Sequence, residues 1–101
     1  MDRIASMIEQ SVHKVDAQAN VILYGSRARG DERPDSDWDV VIIVDRPQVD
    51  FQTFMQIGNP LYDIAVENNV EINPLIYTKD QWQNSPPSMF RHNVIKEGVV
   101  L

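Results

Sequence analysis

The stretch from Val21 to Val44, VILYGSRARGDERPDSDWDVVIIV, constrains this chain more than any other. An apolar run, Val21 to Tyr24, stops at Gly25-Ser26. A loop carrying Arg27, Arg29 and Arg33 follows, and a second apolar run, Val40 to Val44, starts just past Asp37 and Asp39. Short apolar runs bounded by glycine and charged residues read as strands, so the pattern is strand, loop, strand. Val40 to Val44 is apolar throughout and rich in β-branched residues, which suits a central strand covered on both faces.

The chemistry this layout allows is that of a phosphate site. A glycine at the end of a strand lets backbone N–H groups approach a ligand closely, and a serine there can cap a short helix whose N-terminus favours anions. Gly25-Ser26 therefore reads as a phosphate cradle. Arg27 directly follows it and is the arginine best placed to touch a phosphate. Arg29 reads equally as a phosphate contact or a structural residue, and Arg33 as a partner of Asp31, Glu32 or Asp35 on a solvated loop. Asp37 and Asp39, two apart where a strand begins, share one face, while Trp38 faces the other way. Carboxylates held that close repel each other unless a cation sits between them. Oxygen-only ligands in a chain without cysteine suit Mg²⁺ or Mn²⁺.

Gly-Ser, ten residues and then Asp-x-Asp, in the local forms GSRARG and DSDWD, resembles the signature of the polymerase β-like nucleotidyltransferase superfamily. The short chain is most similar to its minimal nucleotidyltransferase domains. The resemblance spans essentially the whole chain, with its specific part from Gly25 to Asp39. It implies an α/β (α+β) fold, with a small mixed sheet of three or more strands flanked by helices. It also implies metal-binding and catalytic roles for Asp37 and Asp39, and nucleotide contacts from Gly25, Ser26, Arg27 and Arg29. The superfamily usually takes a third carboxylate from a neighbouring strand, most often an aspartate. Glu71 occupies that place here, to complete the metal site or to take a proton from the acceptor; its other reading is an exposed strand residue.

At 101 residues the chain reads as one domain, residues 1–101, with a modest core. A formal net charge of −6 argues against broad nucleic-acid binding, which needs clustered Lys and Arg, although the three loop arginines could serve one triphosphate. The absence of cysteine, and of any run long enough to span a bilayer, reads as a cytoplasmic protein without disulfides or a membrane anchor.

Before the signature, Ile4, Met7, Ile8, Val12 and Val15 form one helical stripe, with His13 off it as a surface residue. After it, residues 50–68 are helical, with Gly58-Asn59-Pro60 predicting a kink or two shorter helices, the second capped by Asn59. The aromatic residues of this segment read as core. Val70 to Tyr77 is a third strand, which Pro74 places toward an edge or a bulge. Thr78 caps a short helix, and Pro86 or Pro87 opens a last helix that stops at Gly98. The apolar tail Val99-Val100-Leu101 docks on the sheet or on a partner.

The resemblance implies transfer of AMP from ATP, with Mg²⁺, to a hydroxyl acceptor, with pyrophosphate leaving. Minimal nucleotidyltransferases are commonly paired with a HEPN-type toxin and act as antitoxins, in some cases by placing AMP on one of its tyrosines. That is the leading expectation. Two others stand beside it: an antitoxin acting by contact alone, and a small-molecule (aminoglycoside-like) nucleotidyltransferase with a pocket completed by homo- or hetero-oligomerisation.

Overall fold

The computed structural model describes residues 2–101. Helix α1 (Arg3–Val15) leads into strand β1 (Asn20–Tyr24), a one-turn helix α2 (Ser26–Arg29) and strand β2 (Trp38–Val44). Helix α3 (Phe51–Asn68), strand β3 (Ile72–Thr78), helices α4 (Lys79–Gln83) and α5 (Met89–Glu97), and strand β4 (Val99–Val100) complete the order. The sheet runs β3-β2-β1-β4. β1 is antiparallel to β2 and to β4, whereas β3 is parallel to β2, so the sheet is mixed.

Strand alternation divides β2 between two faces. Trp38, Val40, Ile42 and Val44 pack against Ile4, Ile8 and Val12 of α1 and Ile57 and Leu61 of α3. Val41 and Ile43 face the other side, under Val94 of α5, with Tyr77 and Trp82 beside them. Val40, Val41, Ile42 and Val44 are each fully buried, the double coverage that a continuously apolar strand requires. At the far edge, a side chain on Gly98 would collide with the Val94 carbonyl and Ile22, so only glycine lets the chain turn from α5 into β4. The apolar tail thus docks on the sheet, with the Leu101 N–H donating to Val21 O at 2.9 Å.

For α3, the split into two helices with Asn59 as cap and the burial of its aromatics are corrected. It is one continuous helix, with Pro60 inside it and Asp50 as its cap, the Asp50 carboxylate accepting from the Thr53 N–H at 2.8 Å. A mid-helix proline costs roughly 3 kcal/mol, but buried Ile57 and Leu61 bracket it and hold both turns to the sheet. Nor are the aromatics core: Phe51, Phe54 and Tyr62 are 77%, 50% and 69% exposed, because the buried stripe is Thr53, Ile57 and Leu61.

His13 is likewise half-buried rather than a free surface residue. Its Nδ1 lies 2.8 Å from a Glu9 carboxylate oxygen and its Nε2 lies 2.8 Å from the Ala19 carbonyl. Both partners only accept, so the protonated ring satisfies both. The Ala19 carbonyl raises the His13 pKa above 6.5 against the opposing effect of burial, helped by Glu9 and Asp16. A group with a raised folded pKa contributes stability that is fully present below its unfolded value and is lost as pH climbs through the folded one. The urea midpoint of the wild type is therefore expected to fall as pH rises past 6.5, and that slope to flatten in His13→Gln.

Candidate active site

The sheet register assembles the site. Tyr24 pairs with Asp39 across the antiparallel β1–β2 ladder, and Asp39 pairs with Asn73 across the parallel β2–β3 ladder. Tyr24, Asp39 and Asn73 therefore form a row on one face, with Asp37 and Glu71 one step outward on the same face. The Trp38 N–H donates to the Glu71 carbonyl at 2.8 Å, which locks Glu71 beside the acidic pair.

The Asn73 amide nitrogen donates to Asp37 Oδ2 at 3.1 Å and to Asp39 Oδ1 at 3.3 Å. One electropositive group thus bridges the two carboxylates. Glu71 is held above its ordinary carboxyl range, first by its hydrogen-bonding contact with Asp37, then by the charge of Asp37, desolvation and the charge of Asp39. Tyr24 is pushed up by burial, by Asp39 and by Tyr77, which keeps its hydroxyl protonated; its ring meets Phe90 edge-on at 5.4 Å. Asn73 and Tyr24 are the site residues that sequence reasoning missed. Both were within reach of it, Asn73 by the two-residue strand period from Glu71 and Tyr24 by its place immediately before the glycine.

Gly25 closes the other side of the row. Its φ of 77° with ψ of −158° is open to glycine almost alone. A Cβ there would lie 2.7 Å from Asp39 Oδ2, so the backbone passes as near the carboxylate as glycine permits. Gly25, not Ser26, is the N-cap of α2, and no side chain caps this helix. Ser26 is instead the first helical residue.

The two arginines separate. Arg27 donates from Nε and from a terminal nitrogen to Ser36 O at 3.1 and 2.9 Å, and its guanidinium lies 4.3 Å from the centre of the Trp38 ring. Because Trp38 faces away from the carboxylates, Arg27 pins the loop from the opposite side of the sheet. Its guanidinium is committed there and does not face Asp37 and Asp39. Arg29 pairs with Asp31 at 3.3 Å and with Glu97 of α5 at 3.5 Å, both of which raise its pKa. It stays on the carboxylate face.

Among the described residues, no group of three His, Cys, Asp or Glu side chains is arranged to hold a metal ion as it stands. Asp37, Asp39 and Glu71 are neighbours rather than a closed cage, and the Asn73 amide fills the space between the two aspartates. The donor set nevertheless fits a divalent cation. The aspartates converge on one electropositive atom, every donor is oxygen, and the hydrogen-bonding contact and charge of Asp37 raise the pKa of the third carboxylate.

Comparison with known proteins gives the family. The model of the polymerase beta nucleotidyltransferase family matches residues 6–101. A "Putative protein adenylyltransferase" of Methanocaldococcus jannaschii is 36% identical over 84 residues, which is 80% of this chain and 75% of that protein. The crystal structure of a "putative nucleotidyltransferase" from Sulfolobus solfataricus superposes with a TM-score of 0.58 at 17% identity, covering 97% of this chain and 76% of that one. On the match over residues 6–101 and the 36% identity, this chain belongs to the polymerase beta nucleotidyltransferase family and is an enzyme of the nucleotidyltransferase type.

Proposed function

We propose that this chain transfers AMP from ATP to a tyrosine hydroxyl of a partner protein, with Mg²⁺, and thereby silences a HEPN-type toxin. The observation that carries the reading is the row of Asp39 between Gly25 and Asn73, which sets an acidic pair against a glycine turn. The name of the archaeal relative supports proteins as the acceptor class.

In this reading the triphosphate lies along the turn at Gly25 and Ser26, where the absence of a side chain lets it come close to Asp39. Arg29, on the carboxylate face, balances phosphate charge once released from Asp31 or Glu97. Asp37 and Asp39 would hold Mg²⁺, which when bound would supply Lewis-acid stabilisation of charge on the phosphate oxygens. The acceptor oxygen bonds to the α-phosphorus as the bond from that phosphorus to the bridging oxygen breaks, and pyrophosphate leaves with the electron pair. Glu71, on the same face beside Asp37, takes the hydroxyl proton. Tyr24, held protonated by burial and by Asp39, keeps its hydroxyl proton beside that carboxylate.

The test follows ATP labelled on the α-phosphate, with Mg²⁺ and lysate of the host, against a variant carrying Asp37→Asn and Asp39→Asn. Label on one protein band, lost in the variant, is the expected result. If ATP binds but nothing is labelled, neutralisation by contact alone replaces the enzymatic account.

A further inference from the structure

Helix α3 carries a row of apolar side chains that the fold does not use. Phe51, Phe54, Tyr62 and Val66 are each at least half exposed, at 77%, 50%, 69% and 62%, and they lie on one stripe that flanks the buried Thr53, Ile57 and Leu61. Single exposed apolar residues are ordinary; a contiguous row marks a contact surface. Between this row and β3 lies a groove of about 700 Å³, lined by Phe54, Tyr62, Val66 and Pro74, which ends at Glu71 and Asn73. It lies on the α3 face of the sheet and shares Asn69, Val70 and Glu71 with a smaller hollow that Asp37 lines, so it reaches the carboxylates round the start of β3 rather than across the sheet.

The groove also runs beside an open sheet edge, since β3 is terminal in the strand order. The Trp38 N–H reaches the Glu71 carbonyl, so by alternation residues 73, 75 and 77 turn their backbone groups to β2. Ile72, Pro74 and Ile76 turn theirs outward. Pro74 has no N–H to leave unpaired, which blunts self-association at that point. Two N–H groups and three carbonyls remain for an added strand.

We infer that the groove between α3 and the β3 edge receives the acceptor protein, as an extended apolar segment that pairs with Ile72–Thr78 and brings its hydroxyl to Asp37, Asp39 and Glu71. This rests on the transferase reading above. An in-line displacement needs the entering and leaving oxygens on opposite sides of the phosphorus. The turn at Gly25 and Ser26, which holds the leaving phosphates, follows β1 on one side of Asp39, and Glu71 and Asn73 stand on the β3 side. The acceptor therefore arrives from β3, where the groove lies. Its chemistry follows from the lining. No Lys or Arg lines the groove, and the chain carries a net charge of −6, so a polyphosphate acceptor finds no counter-charge there. Apolar walls with a strand edge fit alternate side chains and the main chain of a peptide.

The experiment compares wild type with the double variant Tyr62→Ser, Val66→Ser, both at exposed positions, in three readings. The first is ATP affinity, the second is the rate of labelling of the lysate acceptor, and the third is labelling of two synthetic peptides. One peptide has a tyrosine flanked by alternating valines, and in the other each valine is serine. The expected result is an unchanged ATP affinity, at least a tenfold lower labelling rate in the variant, and at least a tenfold preference of the wild type for the valine peptide. Hydrogen exchange at the Ile72 and Ile76 amides should slow when that peptide binds. If the variant labels the lysate acceptor as fast as wild type, the groove assignment is overturned and the transferase reading stands. A concentration-dependent dimer abolished by the same two substitutions assigns the face to a second copy of the chain and also overturns it. Absence of any transfer by wild type removes the transferase reading, and this inference with it.

Discussion

Asp39→Asn is expected to lower AMP transfer by on the order of a thousandfold, about 4 kcal/mol of transition-state stabilisation, while leaving the fold intact. The amide is nearly the same shape as the carboxylate and keeps an oxygen toward the Asn73 nitrogen, 3.3 Å away in the wild type. It removes one negative charge from beside Asp37 and Glu71, so the melting temperature without divalent ions should hold or rise. Added Mg²⁺ should raise the melting temperature of the wild type and not that of the variant, because a ligand that binds only the folded state stabilises it. Labelled transfer and melting with and without Mg²⁺ separate the two effects. A variant retaining a tenth or more of wild-type transfer would show that Asp39 does not serve the chemistry.

The second large effect is expected at Gly25. Alanine there meets a backbone conformation that side chains almost never adopt, at a cost of roughly 1–3 kcal/mol, and its Cβ would sit 2.7 Å from Asp39 Oδ2. Asp39 must then turn away from Asn73 or the turn must open, and either change moves the carboxylate by an appreciable part of an ångström. Transfer should fall about a hundredfold for a displacement of that size. Gly30→Ala is the matched control. Gly30 also has a positive φ, 80°, but nothing lies within 4 Å of a Cβ built on it. Its substitution should cost about 1 kcal/mol of stability and leave the transfer rate of the folded protein unchanged. If both alanines behave alike in denaturation and in activity, the close approach to Asp39 has no catalytic consequence.

How much of this could be read without coordinates differs by element. β2 was legible because every residue of Val40 to Val44 is apolar, a pattern only a doubly covered strand tolerates. The acidic pair was legible because the strand period is two. The edge position of β3 was legible from Pro74, which has no N–H for a ladder. By contrast, Gly58-Asn59-Pro60 reads locally as a break, yet α3 runs through it, since burial of Ile57 and Leu61 outweighs one missing hydrogen bond. The aromatics of α3 read as core because apolar residues sit at helical spacing on two faces, and spacing alone does not say which face meets the sheet.

Arg27 shows the same limit within the signature itself. Its place in the chain, one residue past the cradle, points to a phosphate, but its side chain crosses to the Trp38 face and ties down Ser36. Sequence distance measures chain length, and a one-turn helix rotates successive side chains by about 100°, so Arg27 and Arg29 leave α2 in different directions.

The amino-acid sequence by itself determined the strand–turn–strand unit, the carboxylates on one face of β2 and the glycine that precedes them, because each follows from local backbone geometry and short periods. Only the tertiary structure decided that Asn73 bridges Asp37 and Asp39, that Glu71 meets Asp37, and that an apolar row of α3 stands open beside the site. Those outcomes depend on the register of β3 against β2 and on the roll of α3 over the sheet. The first is fixed between residues 34 and 36 apart and the second by packing of α3 against α1 and the sheet, contacts that no local pattern encodes.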